Sequence, residues 1–461
     1  MKIYYGNETE KALKSFGRGQ TPSPLIRAYG EVKKAALMAQ QDFEKRYPQE
    51  YFAVLMDVCG GIIAGLHDEQ FPLPLRQGGA GTSLHMNICE VISNMANERF
   101  KGAYRSGPLE DIACYQSTND TFPTAAVIML YRFLCDVEKK IIELQEFLVK
   151  SEKEYEDVLL TARTELQDAL PIKLSQVFSG WAGSVERDRW RLSKLKERIR
   201  VTALGGTAVG TCFSAPAPYV FAAEKYLREV TSLPLCRSQN LPDAVAHHDC
   251  LSELANGFSL AAGNIYKITG DLLLYTSSLC REMKHPDLQY GSTIMPFKTN
   301  PVILEYVRGL SILVQEECSR ISRYCGEGQL QLNPYIPFAL DAFIDVHSSL
   351  LNAVDSLLNR FFTGMKIDRA LMLENLYGSK AILNTLRPIL GYNMIKELSV
   401  LMEGKEILSP EEFIDIVAAH TDIDRETAAK WLGRDNLTGY RSASAGRSLK
   451  KDMENNDDKN S

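Results

Sequence analysis

At 461 residues with a formal net charge of −6, the chain is long enough for two or three domains and has no excess of basic residues for a nucleic-acid surface. Its hydrophobic and charged fractions are ordinary for a globular protein, and no apolar run approaches the length of a membrane-spanning helix. The ten cysteines show neither a C-x-x-C pair nor metal-ligand spacing to histidine. They read as reduced thiols in a soluble cytoplasmic protein with no cofactor and no metal. Met1 to Phe16 is polar and charged, without the apolar core of a signal peptide.

Residues 1–115 mix helical segments with polar loops. Pro22, Pro24 and Leu25 precede a helical pattern over Ile26 to Phe43, and a second apolar segment runs from Tyr51 to Leu66. Gln77 to Asn87 follows, a glycine-rich turn with a hydroxyl pair, Thr82-Ser83, at the head of another helical pattern. Such a loop is either an anion pocket at a helix N-terminus or a capped helix after a tight turn. The arrangement returns at Gln116-Ser117-Thr118-Asn119-Asp120-Thr121-Phe122-Pro123. Beyond it Val127, Leu130, Leu134, Val137, Ile141, Leu144 and Phe147 recur at spacings of three and four, the pattern of a bundle helix. A third polar loop, Arg163 to Pro171, precedes a helical pattern through Leu174, Val177 and Trp181.

Leu204 to Thr211 is glycine-rich but lacks the G-x-G-x-x-G spacing and follows a basic helical segment, so it reads as a structural turn. Leu251, Leu254, Phe258, Ala261, Ile265, Ile268 and Leu272 mark the seam of a long packed helix. Gly291 to Pro301 (Gly-Ser-Thr-Ile-Met-Pro-Phe-Lys-Thr-Asn-Pro) then puts hydroxyls, a lysine and an amide ahead of a helix. Pro301 suits the first helical position and Asn300 the N-cap, so Lys298 should stand on a loop at a positively polarised helix end. Further helical patterns cover Val307 to Ile321 and Phe338 to Phe362. From about 363 the segments shorten: Ser409-Pro410-Glu411-Glu412 reads as a capped first turn, and Asp452 to Ser461 as disordered. Four loops ahead of helices suggest convergence on one anionic ligand, although they are far apart in sequence.

The stretch Gly291 to Pro301 resembles the signature of the aspartase/fumarase superfamily, Gly-Ser-Ser-x-Met-Pro-x-Lys-x-Asn-Pro, with Thr293 in place of the second serine. Tyr4-Tyr5-Gly6, Gln77 to Asn87, Gln116 to Thr124, Arg163 to Pro171 and Leu204 to Thr211 appear in family order, so the likeness spans nearly the whole chain. Gly328 to Asn333 looks like the aspartase branch. The resemblance implies an all-α, three-domain lyase (1–115, a central helical bundle 116–362, and a small C-terminal domain 363–461). It also implies a homotetramer whose central helices form one bundle and whose active sites draw loops from three chains.

By the same resemblance Ser292 is the base. Lys298 and Asn300 grip a substrate carboxylate, and Thr82, Ser117, Thr118, Asn119, Thr164 and Thr293 line the substrate site. Removing a proton beside a carboxylate builds a doubly charged aci-carboxylate, which needs fixed donors aimed at its oxygens. A serine can act as the base only if N–H groups and a nearby cation hold its alkoxide; Gly291 permits such a backbone and Lys298 could supply the charge. Three departures stand out. Glu165 occupies the position where fumarases carry a histidine, paired there with a glutamate that maps to Glu305. Leu84-His85 replaces a polar-Asn pair, and His85 reads as structural. Cys280 to Tyr290 is shorter than the family's mobile cover. An ammonia-lyase, which expels a better leaving group than hydroxide, tolerates the loss of that histidine. The expected activity is therefore reversible conversion of L-aspartate, a small amino-acid dicarboxylate, to fumarate and ammonia. Fumarase or another lyase of a substituted succinate is the alternative within the family, and a non-catalytic helical scaffold the alternative outside it.

Overall fold

The computed structural model describes residues 2–403 and 409–438; the tail read as disordered lies outside them. The chain forms two compact units, one of residues 2–142, 187–266 and 306–355, the other of 143–186, 267–305 and the described part of 356–461. Helices dominate both, so the all-α expectation holds. Among the described residues no helix is long and apolar enough to cross a membrane.

In the first unit, α1 (Asn7–Phe16), α2 (Ser23–Phe43), α3 (Gln49–Ile63) and α4 (Thr82–Phe100) precede α5 (Thr118–Glu154). The N-terminus of α1 is satisfied by one carboxylate of α4. Glu90 accepts from the backbone N–H groups of Gly6, Glu8 and Thr9 and from the Thr9 hydroxyl, meeting donors that have no partner inside the helix. The helix α5 runs 37 residues with Pro123 inside it, so the carbonyl of Asn119 lacks the N–H it would meet four residues on.

The second unit contains an antiparallel hairpin, β1 (Leu159–Thr164) with β2 (Gln167–Lys173), which leads into α6 (Leu174–Ile199). The sequence expectation of a polar loop at Arg163 to Pro171 is corrected here: Leu159 pairs with Lys173 and Thr164 with Gln167. The ladder also pairs Arg163 with Asp168 and Thr161 with Pro171, so backbone groups of this segment bond across the hairpin instead of to water.

The first unit continues with β3 (Val201–Thr202), α7 (Ala217–Thr231), β4 (Cys236–Arg237, parallel to β3) and α8 (Leu241–Ala246). Next come α9 (Asp249–Thr276), β5 (Met283–Lys284), α10 (Val302–Gly326) and α11 (Ile336–Ser356). The bundle core of the first unit is built from Leu134 and Val137 of α5, Leu254 and Phe258 of α9, Val314 of α10 and Phe343 of α11, all fully buried or nearly so. The Phe258 and Phe343 rings meet edge to face at 6.5 Å. Gly257 is small for a reason: a Cβ there would stand 2.5 Å from Leu195 Cδ1.

In the second unit β6 (Lys366–Ile367) pairs with β5. It is followed by α12 (Arg369–Gly378), α13 (Arg387–Leu401), α14 (Pro410–His420), α15 (Arg425–Trp431) and α16 (Arg434–Thr438). These close around Leu376, Leu383, Leu386, Leu398, Phe413, Val417 and Trp431. The capped turn expected at Ser409 is present, with its Oγ accepting from Glu412 N–H at 3.2 Å.

Candidate active site

Three of the glycine-rich or polar loops meet at the head of α5. Gly81, at φ +90, closes the turn before α4, and a Cβ there would lie 2.2 Å from the Phe122 ring. Only glycine gives both that backbone and that approach. Thr82 begins α4, is exposed, and donates its hydroxyl to Gly79 O at 2.7 Å. On the α5 side, Ser117 Oγ accepts from Asn119 N–H at 3.2 Å, and Asn119 Nδ2 donates to Ala208 O at 2.8 Å.

Asp120, fully buried, ties these loops together. Its Oδ1 accepts from Ser117 N–H at 2.9 Å, and its Oδ2 accepts from Gly205 N–H at 3.2 Å and Thr207 N–H at 2.9 Å. The glycine-rich turn 204–211 thus holds an internal carboxylate, in keeping with a structural role. Burial outweighs these N–H bonds and pushes the Asp120 carboxyl up to about 6.

Beneath Thr118 lies a polar network that the sequence reading missed in part. His85 Nδ1 is 2.8 Å from Thr118 Oγ1, and its Nε2 is 2.7 Å from Lys33 Nζ. Burial, with the Lys33 charge beside it, holds His85 well below the usual histidine range. Lys33 did carry a signal. It falls on the apolar face of α2, four residues from both Tyr29 and Leu37, where a lysine is not expected.

The second group stands in the other unit. A Cβ on Gly291 would come within 2.2 Å of Lys298 O, so the loop can close on itself only through glycine. Asn300 Nδ2 donates to Gly291 O at 2.6 Å. This corrects the expectation of an Asn300 cap: α10 starts at Val302, whose N–H bonds to Asn300 O at 2.8 Å, and the amide side chain closes the loop instead. Ser292 Oγ accepts from the backbone N–H groups of Ile294 at 3.2 Å and Met295 at 3.0 Å. Thr293 and Lys298 are exposed beside it, and Glu305 is exposed in the first turn of α10.

Thr164 ends β1. Glu165 (φ 53) and Leu166 (φ 62) are the two central residues of the hairpin turn, the left-handed pair of a tight β-turn. Glu165 is exposed, and no hydrogen bond joins it to Glu305 among the described residues. Behind the turn, Arg163 makes a two-pronged bond to the inaccessible Glu282, both distances 2.8 Å, and Asn375 Nδ2 donates to the same carboxylate at 2.9 Å. Of the segment expected to form a cover, Glu282 and Met283 are therefore buried and anchored, while Asp287 to Tyr290 are exposed.

A family model described as a lyase matches residues 3–315 of this chain. The chain belongs to the aspartase/fumarase lyase superfamily. Among its relatives, the fumarate hydratase class II of Methylorubrum extorquens is 32% identical over 410 residues, covering 86% of this chain and 86% of that one. The aspartate ammonia-lyase of Bacillus subtilis is 30% identical over 433 residues, covering 92% and 90%. Among solved structures, a fumarate lyase:delta crystallin from Brucella melitensis bound to cobalt superposes with a TM-score of 0.87 at 30% identity. That match covers 94% of this chain and 95% of the other. The residues expected from the sequence to line the site fall into two sets. Thr82, Ser117, Thr118 and Asn119 belong to the first unit, and Thr164, Glu165, Ser292, Thr293, Lys298, Asn300 and Glu305 to the second.

Proposed function

We propose that this lyase converts L-aspartate reversibly to fumarate and ammonia in the cytoplasm, as a homotetramer with active sites shared among chains. The observation that carries the reading is Ser292 Oγ, which accepts from two backbone N–H groups. An alkoxide at that oxygen would be held by the same donors, which is the condition for a serine to remove a proton from C3 of the substrate. The electron pair from the C–H bond enters the adjacent carboxylate to give the aci-carboxylate. Lys298, Asn300 and Thr293 donate to it, and Thr82, Ser117, Thr118, Asn119 and Thr164 bind the remaining polar groups of the substrate. The pair then returns to form the C=C bond as ammonia leaves C2. Glu165 and Glu305 complete the set, with Glu165 dispensable as a proton donor because ammonia needs no help of the kind hydroxide needs.

Assembly is supported by the apolar side chains left in water on the single chain. Phe297, Tyr290 and Ile294 keep 97%, 93% and 87% of their surface around the signature loop, which suits a loop that packs against another chain. The division into domains 1–115, 116–362 and 363–461 belongs to the same proposal.

A second reading, fumarase, is favoured by the 32% identity to the fumarate hydratase. The deciding experiment incubates the protein with L-aspartate, L-malate and argininosuccinate and follows fumarate absorbance. Fumarate from L-aspartate alone is the expected result, and fumarate from L-malate in its place would overturn the assignment. No fumarate from any of them would leave a helical scaffold without turnover.

A further inference from the structure

Lys33 Nζ, without accessible surface, faces three acceptors: His85 Nε2 at 2.7 Å, Gln116 Oε1 at 2.8 Å and Ile112 O at 3.4 Å. The Gln116 amide is oriented by its own bonds, since Nε2 donates to Ile112 O at 3.0 Å and Cys114 O at 3.2 Å. Its oxygen is therefore the atom turned to Lys33. An ammonium has three N–H groups and no lone pair. With no lone pair of its own, the ammonium can meet His85 Nε2 only by donating to it, so the ring proton sits on Nδ1. That Nδ1–H donates to Thr118 Oγ1 at 2.8 Å, so the hydroxyl accepts there and its own proton must point elsewhere.

We propose that Lys33 and His85 are positioning residues that fix the Thr118 hydroxyl as a hydrogen-bond donor to a substrate carboxylate. The proposal rests on the reading of Thr118 as a substrate-binding residue. A freely rotating hydroxyl would divide its time between donating and accepting. Held in this way, the Thr118 oxygen has one lone pair occupied and its proton turned away from His85, which makes it a preorganised donor to oxygen anions. The buried cation at the far end of the chain of bonds polarises it in the same direction.

Two measurements test this. Magic-angle-spinning NMR of the sedimented full-length protein, labelled with 15N at histidine, reads the tautomer at pH 7 without substrate; the His85 signal is the one missing from His85→Asn. A neutral ring protonated at Nδ1 is expected, and an Nε2–H ring or a charged ring overturns the proposal. The second measurement is fumarate affinity by calorimetry. Asparagine places its Nδ2 where Nδ1 stands and can still donate to Thr118, whereas glutamine reproduces only the Nε2 end. H85Q should therefore bind fumarate about tenfold more weakly than H85N, as expected for losing one charge-assisted bond. Adding Thr118→Val to H85Q should cost little more. A packing role predicts the reverse order, because glutamine is closer to histidine in volume, and that order would overturn the proposal. So would a parent protein that does not bind fumarate. If neither variant folds, His85 is assigned in the uniformly 13C,15N-labelled parent by sequential correlations, and its tautomer decides. Failure to form fumarate from L-aspartate or L-malate would defeat the proposed reaction while leaving the tautomer and the fumarate affinities to decide this proposal.

Discussion

Ser292 is an ordinary alcohol until its surroundings stabilise the alkoxide, and the N–H groups of Ile294 and Met295 are aimed at its oxygen. In the proposed reaction Ser292→Ala should keep fumarate binding and lower kcat by several orders of magnitude, the scale seen when one member of a catalytic unit is removed. Turnover within about threefold of the parent would remove Ser292 from the role of base, since general-base catalysis supplies roughly a hundredfold or more. His248 carries a second residue-scale prediction. Burial brings it down from 6.5 to about 4, so the folded state resists protonation that the unfolded chain accepts. Its contribution to stability is whole above pH 6.5 and is lost as pH falls through about 4, with a ceiling of about 3 kcal/mol. Unfolding in denaturant should therefore show a smaller loss of stability between pH 7 and pH 4 in His248→Gln than in the parent. An unchanged loss would show that another group carries the acid sensitivity.

At the scale of elements, the β1–β2 hairpin holds Thr164 and Glu165 on a two-residue turn, and the Arg163–Glu282 pair stabilises it from behind. Glu282 has no accessible surface, so Arg163→Met would strand a buried carboxylate with Asn375 as its remaining side-chain partner among the described residues. A loss of about 3 kcal/mol is expected, with faster amide exchange across 159–173 and 280–286. Unchanged exchange in either segment would mean that the hairpin is held by other contacts. The exposure of Glu165 at the turn allows substitution without disturbing packing. Glu165→Gln should keep aspartate deamination within roughly tenfold of the parent, against the ~10²–10⁴ that a general acid contributes. A loss beyond a hundredfold at every pH would give Glu165 the proton transfer and weaken the case for ammonia as the leaving group.

The whole molecule exposes apolar side chains on the outer faces of its long helices, among them Leu260 of α9 and Ile312 of α10, which keep 52% and 49% of their surface. A bundle shared between chains would bury them. Light scattering should report a tetramer for the parent, and Leu260→Glu with Ile312→Glu should give smaller species without activity, because each proposed site needs loops from several chains. An active monomer would end the shared-site proposal.

Much of this protein can be read from its sequence because helical periodicity is a local property. The three-four spacing from Val127 to Phe147 and from Leu251 to Leu272 marks α5 and α9, and the glycine, serine, lysine and asparagine of the signature loop lie within eleven residues. What escaped depends on partners distant in sequence. Lys33 stands out along the chain only as a lysine on the apolar face of α2, and its partners come from α4 and the loop before α5, 52 and 83 residues away, which bring His85 and Gln116 to its ammonium. The turn at 204–211 gains its purpose from Asp120, more than eighty residues earlier. The hairpin at Glu165-Leu166 lacks the Asn-Gly or Asp-Gly pair that announces such a turn, and its left-handed residues are stabilised by strand pairing and by the buried Arg163–Glu282 pair. Asn300 has the composition of a cap, yet the closure of the loop on Gly291 gives its amide a nearer carbonyl. Spacing along the chain determines which faces are apolar, and only the folded backbone decides which polar atoms find each other.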